Sequence, residues 1–257
     1  MIESDKRKLS NEDSIQQQKT LLETSELNIK LSNKTAKEIR SKCELLGEYG
    51  GWVISPYWHP RKDETWYDTW FWMLHDGVAE NISNYFSENN YSLLKNINAF
   101  SRFKVSRYEW FCEAEELFIE KHFTSCAMLL TAILEESVRK CPIKEWRWQI
   151  DVFFKDAVLS KIKDYYNKEL EPLNRYIETI LLLPSLNGFI KKYFNSGIRF
   201  ERDENNKDKR SEPSFLERNW LMHGMTKRDI TENDCIKLFN AICSLHYLLQ
   251  TLFKVEP

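Results

Sequence analysis

Glu113-Ala114-Glu115-Glu116-Leu117-Phe118, then Phe123 after a short break, then Ser125-Cys126-Ala127-Met128-Leu129-Leu130-Thr131-Ala132-Ile133-Leu134-Glu135, decides the fold class. Ala114, Leu117 and Phe118 repeat at the i, i+3, i+4 spacing of one helix face, as do Ala127, Leu130, Ile133, Leu134 and Val138. The pattern predicts two amphipathic helices, over 108–123 and 124–140, broken near Lys121-His122-Phe123. Small side chains at Ser125, Ala127 and Ala132 let a neighbouring helix come close. Composition agrees with an all-α chain. Only 7 Gly and 7 Pro occur in 257 residues, beside abundant Leu, Ile, Glu and Lys. Aromatic residues make up 14%, with 9 Trp, so large side chains build the core.

Toward the C-terminus, Pro142 ends the hairpin. Two further helical segments follow, Trp146 to Leu170 and Pro172 to Phe194, the second broken near Pro184 and Gly188. Leu173, Ile177, Ile180, Leu181 and Phe189 are their core candidates. A polar loop from Gly197 to Arg210 feeds Ser211-Glu212-Pro213-Ser214-Phe215-Leu216-Glu217-Arg218-Asn219-Trp220-Leu221-Met222-His223-Gly224. Ser211 is a good N-cap, Pro213 fits a first turn, and Gly224 suits the C′ position. A short helix between them places Asn219 and His223 four residues apart on one face, with Arg218 about 100° round at ~3.6 residues per turn. Beyond it, Thr231 and Asp234 form a capping-box variant. Ile236, Phe239, Ile242, Leu245 or His246, Leu249 and Phe253 then mark a long closing helix. His246 reads as a core histidine with a partner.

Toward the N-terminus, residues 1 to about 14 are charged and poor in apolar side chains, the composition of a frayed end. Residues 15–46 carry one or two amphipathic helices. Gly47, Gly50, Gly51, Pro56 and Pro60 punctuate an aromatic connection, and 64–87 is a helix with an aromatic face. His59 and His75 have no ligand partners at useful spacing and read as structural. His122 and Cys126 are i,i+4, but a zinc site needs more ligands at tighter spacing, so no metal site is expected.

The order of hairpin, Arg218-Asn219-Trp220-Leu221-Met222-His223 and closing helix resembles HEPN domains, with their Arg-polar-x-x-x-His motif. The resemblance covers 108–257 and leaves 1–107 as an additional aromatic-rich helical region. It implies an all-α bundle that forms a homodimer with the motif at the interface. It also implies an endoribonuclease of a prokaryotic defence or toxin system, with no cofactor, possessing an antitoxin or defence-complex partner. RNA supplies its own nucleophile, the 2′-OH. An imidazole titrating near neutrality, at His223, serves as acid or base. Arg218 forks onto phosphate oxygens, and Asn219 orients the histidine or the phosphate. The products expected are a 2′,3′-cyclic phosphate and a 5′-OH.

The alternative within the same family is a non-catalytic module binding RNA, a nucleotide or a protein. In purely structural terms, Arg218 pairs with Glu217, Glu212 or a neighbouring helix, and His223 faces the negative end of the short helix. Glu135 and Glu136 are helix-surface glutamates that either stay solvated or assist proton transfer. The net charge of −2 provides no overall basic field. Between 186 and 230, ten Lys or Arg stand against seven Asp or Glu. Lys191, Lys192, Arg199, Arg202, Lys227 and Arg228 are therefore the candidate RNA-contacting rim. The 6 Cys include no C-x-x-C pair, and no signal peptide is evident, which fits a reducing, cytoplasmic setting. The apolar run 180–183 is too short to span a membrane.

Overall fold

The computed structural model of the chain describes residues 40–54, 82–83, 86–87, 91, 94–95, 98–99, 107–139, 182–194, 212 and 214–253. Expectations placed on 1–39, 55–81, 140–181 and 195–211 lie outside the described residues. Every regular element among the described residues is helical, and none is a strand. Helix α1 covers 40–50, its last turn, Leu46–Gly50, wound as a π-helix. Then come α2 (Tyr108–Ile119), α3 (Phe123–Arg139), α4 (Leu183–Tyr193), the short α5 (Arg218–Met222) and α6 (Glu232–Phe253). No helix of the described residues is long and apolar enough to cross a membrane.

The hairpin α2–α3 follows from the apolar spacing. Phe111, Ala114 and Phe118 turn inward on α2, and Cys126, Ala127, Leu130, Ile133, Leu134 and Val138 do so on α3. The break is a Schellman turn. Lys121 N–H donates to the Phe118 carbonyl at 3.1 Å, and His122 N–H donates to that of Leu117 at 2.8 Å. Lys121 takes the left-handed position, at φ 63°.

Against this hairpin lies α6, buried almost all round from Cys235 to Leu249. Its N-terminus is the expected reciprocal capping box. Thr231 N–H donates to Asp234 at 2.9 Å, and Asp234 N–H to Thr231 Oγ1 at 3.4 Å. Phe239 meets Phe111 and Phe118 edge to face, at centroid distances of 5.4 and 5.9 Å. His246 is the buried, partnered histidine that its place beside the apolar stripe implies. Its Nε2 lies 2.8 Å from Ser137 Oγ on α3. Tyr193 of α4 reaches α3 through a hydroxyl–hydroxyl bond to Thr131. Burial pushes the Tyr193 phenol well above its ordinary pKa, so it stays protonated there.

Gly47 and Gly50 do not open a loop, as their sequence context suggests. The helix runs through them because α1 and α4 cross glycine on glycine. A Cβ on Gly47 would stand 2.0 Å from the Ser185 carbonyl oxygen, and one on Gly188 would stand 2.1 Å from that of Glu44. Gly51, at φ 70°, then turns the chain into a buried strap of residues 51–54. Two polar side chains hold the strap. Ser185 Oγ accepts the Ile54 N–H at 3.0 Å, and the Asn240 amide donates to the Val53 carbonyl. Trp52 stacks on Phe86 at 5.5 Å, with the Lys237 ammonium 5.2 Å from its ring centroid. Residues from both sides of position 107 thus share one apolar core.

Gly188→Ala forces two helix backbones apart and is expected to lower stability by about 3 kcal/mol or the upper range of core overpacking. Gly224→Ala, at φ 66° with open space around it, is expected to cost only about 1 kcal/mol. Urea unfolding of both variants checks the contrast.

Candidate functional site

The helix expected from Ser211 onward starts only at Arg218. Ser211 and Pro213 lie outside the described residues. From Phe215 to Glu217 the chain is non-helical, with Glu217 extended at φ −113°, ψ 140°. Burial accounts for this. Phe215, Leu216 and Glu217 are all buried in succession, which a one-faced helical turn does not achieve. Phe215 lies 6.3 Å from Phe189 by ring centroids, and the Glu217 carboxylate lies 3.6 Å from Lys192 Nζ. Five residues are then wound, Trp220 and Leu221 facing inward. Gly224 closes the helix at φ 66° as a Schellman C′ residue. Its N–H reaches the Leu221 carbonyl at 3.1 Å, and the Met225 N–H reaches that of Trp220 at 2.9 Å.

Arg218 does not point away from the bundle. Its Nε and Nη2 donate to Glu135 Oε2 on α3 at 3.3 and 3.2 Å, and its Nη1 donates to Asn219 Oδ1 at 3.0 Å. The Glu135 carboxylate is 19% exposed and also pairs with Arg139, one turn further along α3. One carboxylate therefore sits between two guanidinium groups, with the Asn219 amide fixing that of Arg218. Of the structural alternatives for Arg218, the neighbouring helix is the one realised, and Glu135 is no merely solvated surface residue. Glu212 instead accepts the backbone N–H groups of Lys227 and Arg228, at 2.9 and 3.2 Å. His223 occupies the C-cap of α5 with its side chain exposed. Arg218, Asn219 and His223 thus lie within one helical turn and its cap. The guanidinium is held from behind by α3, and the imidazole is open to solvent.

Three of the four described residues of the candidate cationic rim are paired. Lys191 lies 3.8 Å from Glu48, and Lys192 pairs with Glu217. Arg228 makes two bonds to the Asp234 carboxylate, at 2.8 and 2.9 Å, so it braces the start of α6. Lys227 is exposed and makes no ion pair among the described residues. Arg199 and Arg202 lie outside them. His122 is exposed, while Cys126 is buried with its thiol on the Ala114 carbonyl, so the two do not form a ligand pair. No group of three or more metal-ligating side chains occurs among the described residues.

Glu135 and Arg139 are the members of this site that residue spacing around the motif does not disclose. Their own i,i+4 spacing, acidic residue first, was the available signal. Comparison with known proteins gives no matching family model, no matching curated protein and no matching solved structure.

Burial opposes the charge of Asp234, but hydrogen bonds from Arg228 and from the Thr231 backbone and hydroxyl outweigh it. The carboxyl is held below its ordinary range. A depressed carboxylate stabilises the fold above its unfolded pKa of about 4, and this contribution fades as pH falls through the lower folded value. Asp234→Asn should therefore destabilise the protein near pH 7 by about 3 kcal/mol, the cost of breaking a buried pair. The difference from wild type should shrink below about pH 4, as thermal melts across pH 2–7 will show.

Proposed function

We propose that the protein is an RNA-cleaving enzyme of HEPN type whose reaction is carried by Arg218, Asn219 and His223. One observation supports this most: a guanidinium fixed by Glu135 and Asn219 stands in the same short helix whose cap presents an exposed imidazole. That pairing suits transesterification at phosphorus. The imidazole takes the proton from the 2′-OH, and the 2′-oxygen bonds to phosphorus as the bond to the 5′-oxygen breaks. The leaving 5′-oxygen then takes a proton from a second acid. The products are a 2′,3′-cyclic phosphate and a 5′-OH. In a homodimer with the motifs facing each other, the second acid is the partner copy's histidine. Arg218 stabilises charge on the non-bridging oxygens, and Asn219 holds the guanidinium in register. The nucleophile belongs to the RNA, so this route calls for no cofactor. The reading carries with it a cytoplasmic defence or toxin role and a neutralising or complex-forming partner.

A second reading rests on the same arginine. Its Nε, Nη1 and Nη2 are all engaged, which suits a non-catalytic module that binds RNA, a nucleotide or a protein.

Wild type and His223→Ala, each incubated with a labelled mixed RNA pool in EDTA, distinguish the two. The enzyme reading expects cleavage with cyclic-phosphate ends in wild type, reduced about 10²–10⁴-fold in the variant, the range of a lost general acid–base group. Equal cleavage by both proteins removes His223 from the mechanism. RNA binding without cleavage by either supports the module.

A further inference from the structure

Away from the motif, a cavity of about 220 Å³ opens between Tyr91, Leu94, Lys95 and Asn98, the end of α2 and the start of α6. Arg218, Asn219 and His223 do not line it. One part of its wall is aromatic. Phe118 stands at the centre, edge to face with Tyr91 at 5.3 Å and with Phe239, and tilted against Phe123 at 5.8 Å. A dry cavity of about 150 Å³ already accommodates a benzene ring, so this one has room for a ring and a head group.

The charges around it are unequally committed. Glu232 receives the Tyr91 hydroxyl, and Glu115 has an interaction of its own. The hydrogen bond to Glu232, with burial and the carboxylate charge behind it, pushes the Tyr91 phenol up to about 12. Tyr91 therefore remains a donor to Glu232. Lys95 and Lys121 are exposed at the cavity, and neither makes an ion pair among the described residues. The two ammonium groups are thus available to a ligand, while the Glu232 carboxylate already accepts a hydrogen bond.

Backbone conformation singles out the same place. Tyr91 and Lys121, at φ 60° and 63°, are the two non-glycine residues with positive φ among the described residues, and both line this cavity. A bulky residue in that region is strained, and the Schellman position of Lys121 is one that glycine fills without cost. Strain of this kind concentrates where a side chain must be aimed at a ligand.

We propose that this cavity binds a small planar aromatic molecule carrying one anionic group, a carboxylate or a phosphate. The ring lies against Phe118 and Phe123, and the anion meets Lys95 and Lys121. The proposal is independent of the ribonuclease reading.

Phenylacetate and phenyl phosphate supply the two head groups and benzyl alcohol a neutral ring, each titrated into the full chain by calorimetry and saturation-transfer NMR. At least one anion should bind saturably and about tenfold tighter than the alcohol, one charge-assisted contact's worth. The tighter of the two names the head group. Lys95→Met should weaken that binding about tenfold. Lys121→Gly should do the same while raising the melting temperature by about 3 °C, because glycine relieves the left-handed strain. No saturable binding of either anion up to about 10 mM, well beyond weak-ligand affinity, overturns the proposal. So does an unchanged anion affinity in Lys121→Gly, or an anion that binds no better than the alcohol.

Discussion

A polar side chain on a helix with few free faces must meet a partner or lose its hydration uncompensated, and α3 carries three of them. Thr131 is met by Tyr193 of α4, Glu135 by Arg218 of α5, and Ser137 by His246 of α6. Each bond goes to a different element, so together they set which way those elements face α3. Apolar contact alone would permit α4, α5 and α6 to slide or rotate over the surface of Leu130, Ile133 and Leu134. A hydrogen bond at a known height along the helix does not. Arg218 is the clearest beneficiary, since a five-residue helix has too few backbone bonds to hold itself in place.

The motif helix therefore belongs to the tertiary structure more than to its own sequence. It is entered from a buried segment, held through Glu135, and closed by a glycine whose left-handed φ lets Met225 and Gly224 satisfy two end carbonyls. The Lys121 turn has the same hydrogen-bond pattern with a side chain where glycine would be easier. One turn is built for economy of strain. The other accepts strain and places an ammonium at a cavity mouth.

Features whose cause lies within a few residues could be read directly from the chain. The hairpin was legible from apolar spacing: Tyr108–Ile119 falls inside the expected 108–123, and Phe123–Arg139 starts one residue ahead of the expected 124–140. The Thr231–Asp234 capping box was legible because both its bonds are local. So was Gly224, whose conformational freedom is a property of the residue itself. The rest depended on distant partners. Arg218 finds Glu135 across 83 positions, and nothing near Arg218 points to it. Gly47 and Gly188 look like chain breakers when read locally, yet each leaves room for the other's helix. The helix expected over Ser211–Gly224 was too long because local capping signals contain no information on the burial of Phe215 to Glu217. Of the candidate cations, Arg228 was indistinguishable from a free phosphate ligand until Asp234 was placed beside it.

The strap of residues 51–54 has a consequence for how the chain reaches its fold. Gly51 and Trp52 bond locally to the end of α1, but Ile54 and Val53 bond to Ser185 and Asn240, 131 and 187 positions later. Closing loops of that length costs entropy before any contact compensates for it, which slows folding. On the ribosome, the Asn240 bond cannot form until 187 further residues have been made. Trp52, Val53 and Ile54, all buried in the finished protein, emerge before these partners exist. That interval is the chain's exposure to aggregation, and its length is set by synthesis time rather than by the stability of any helix.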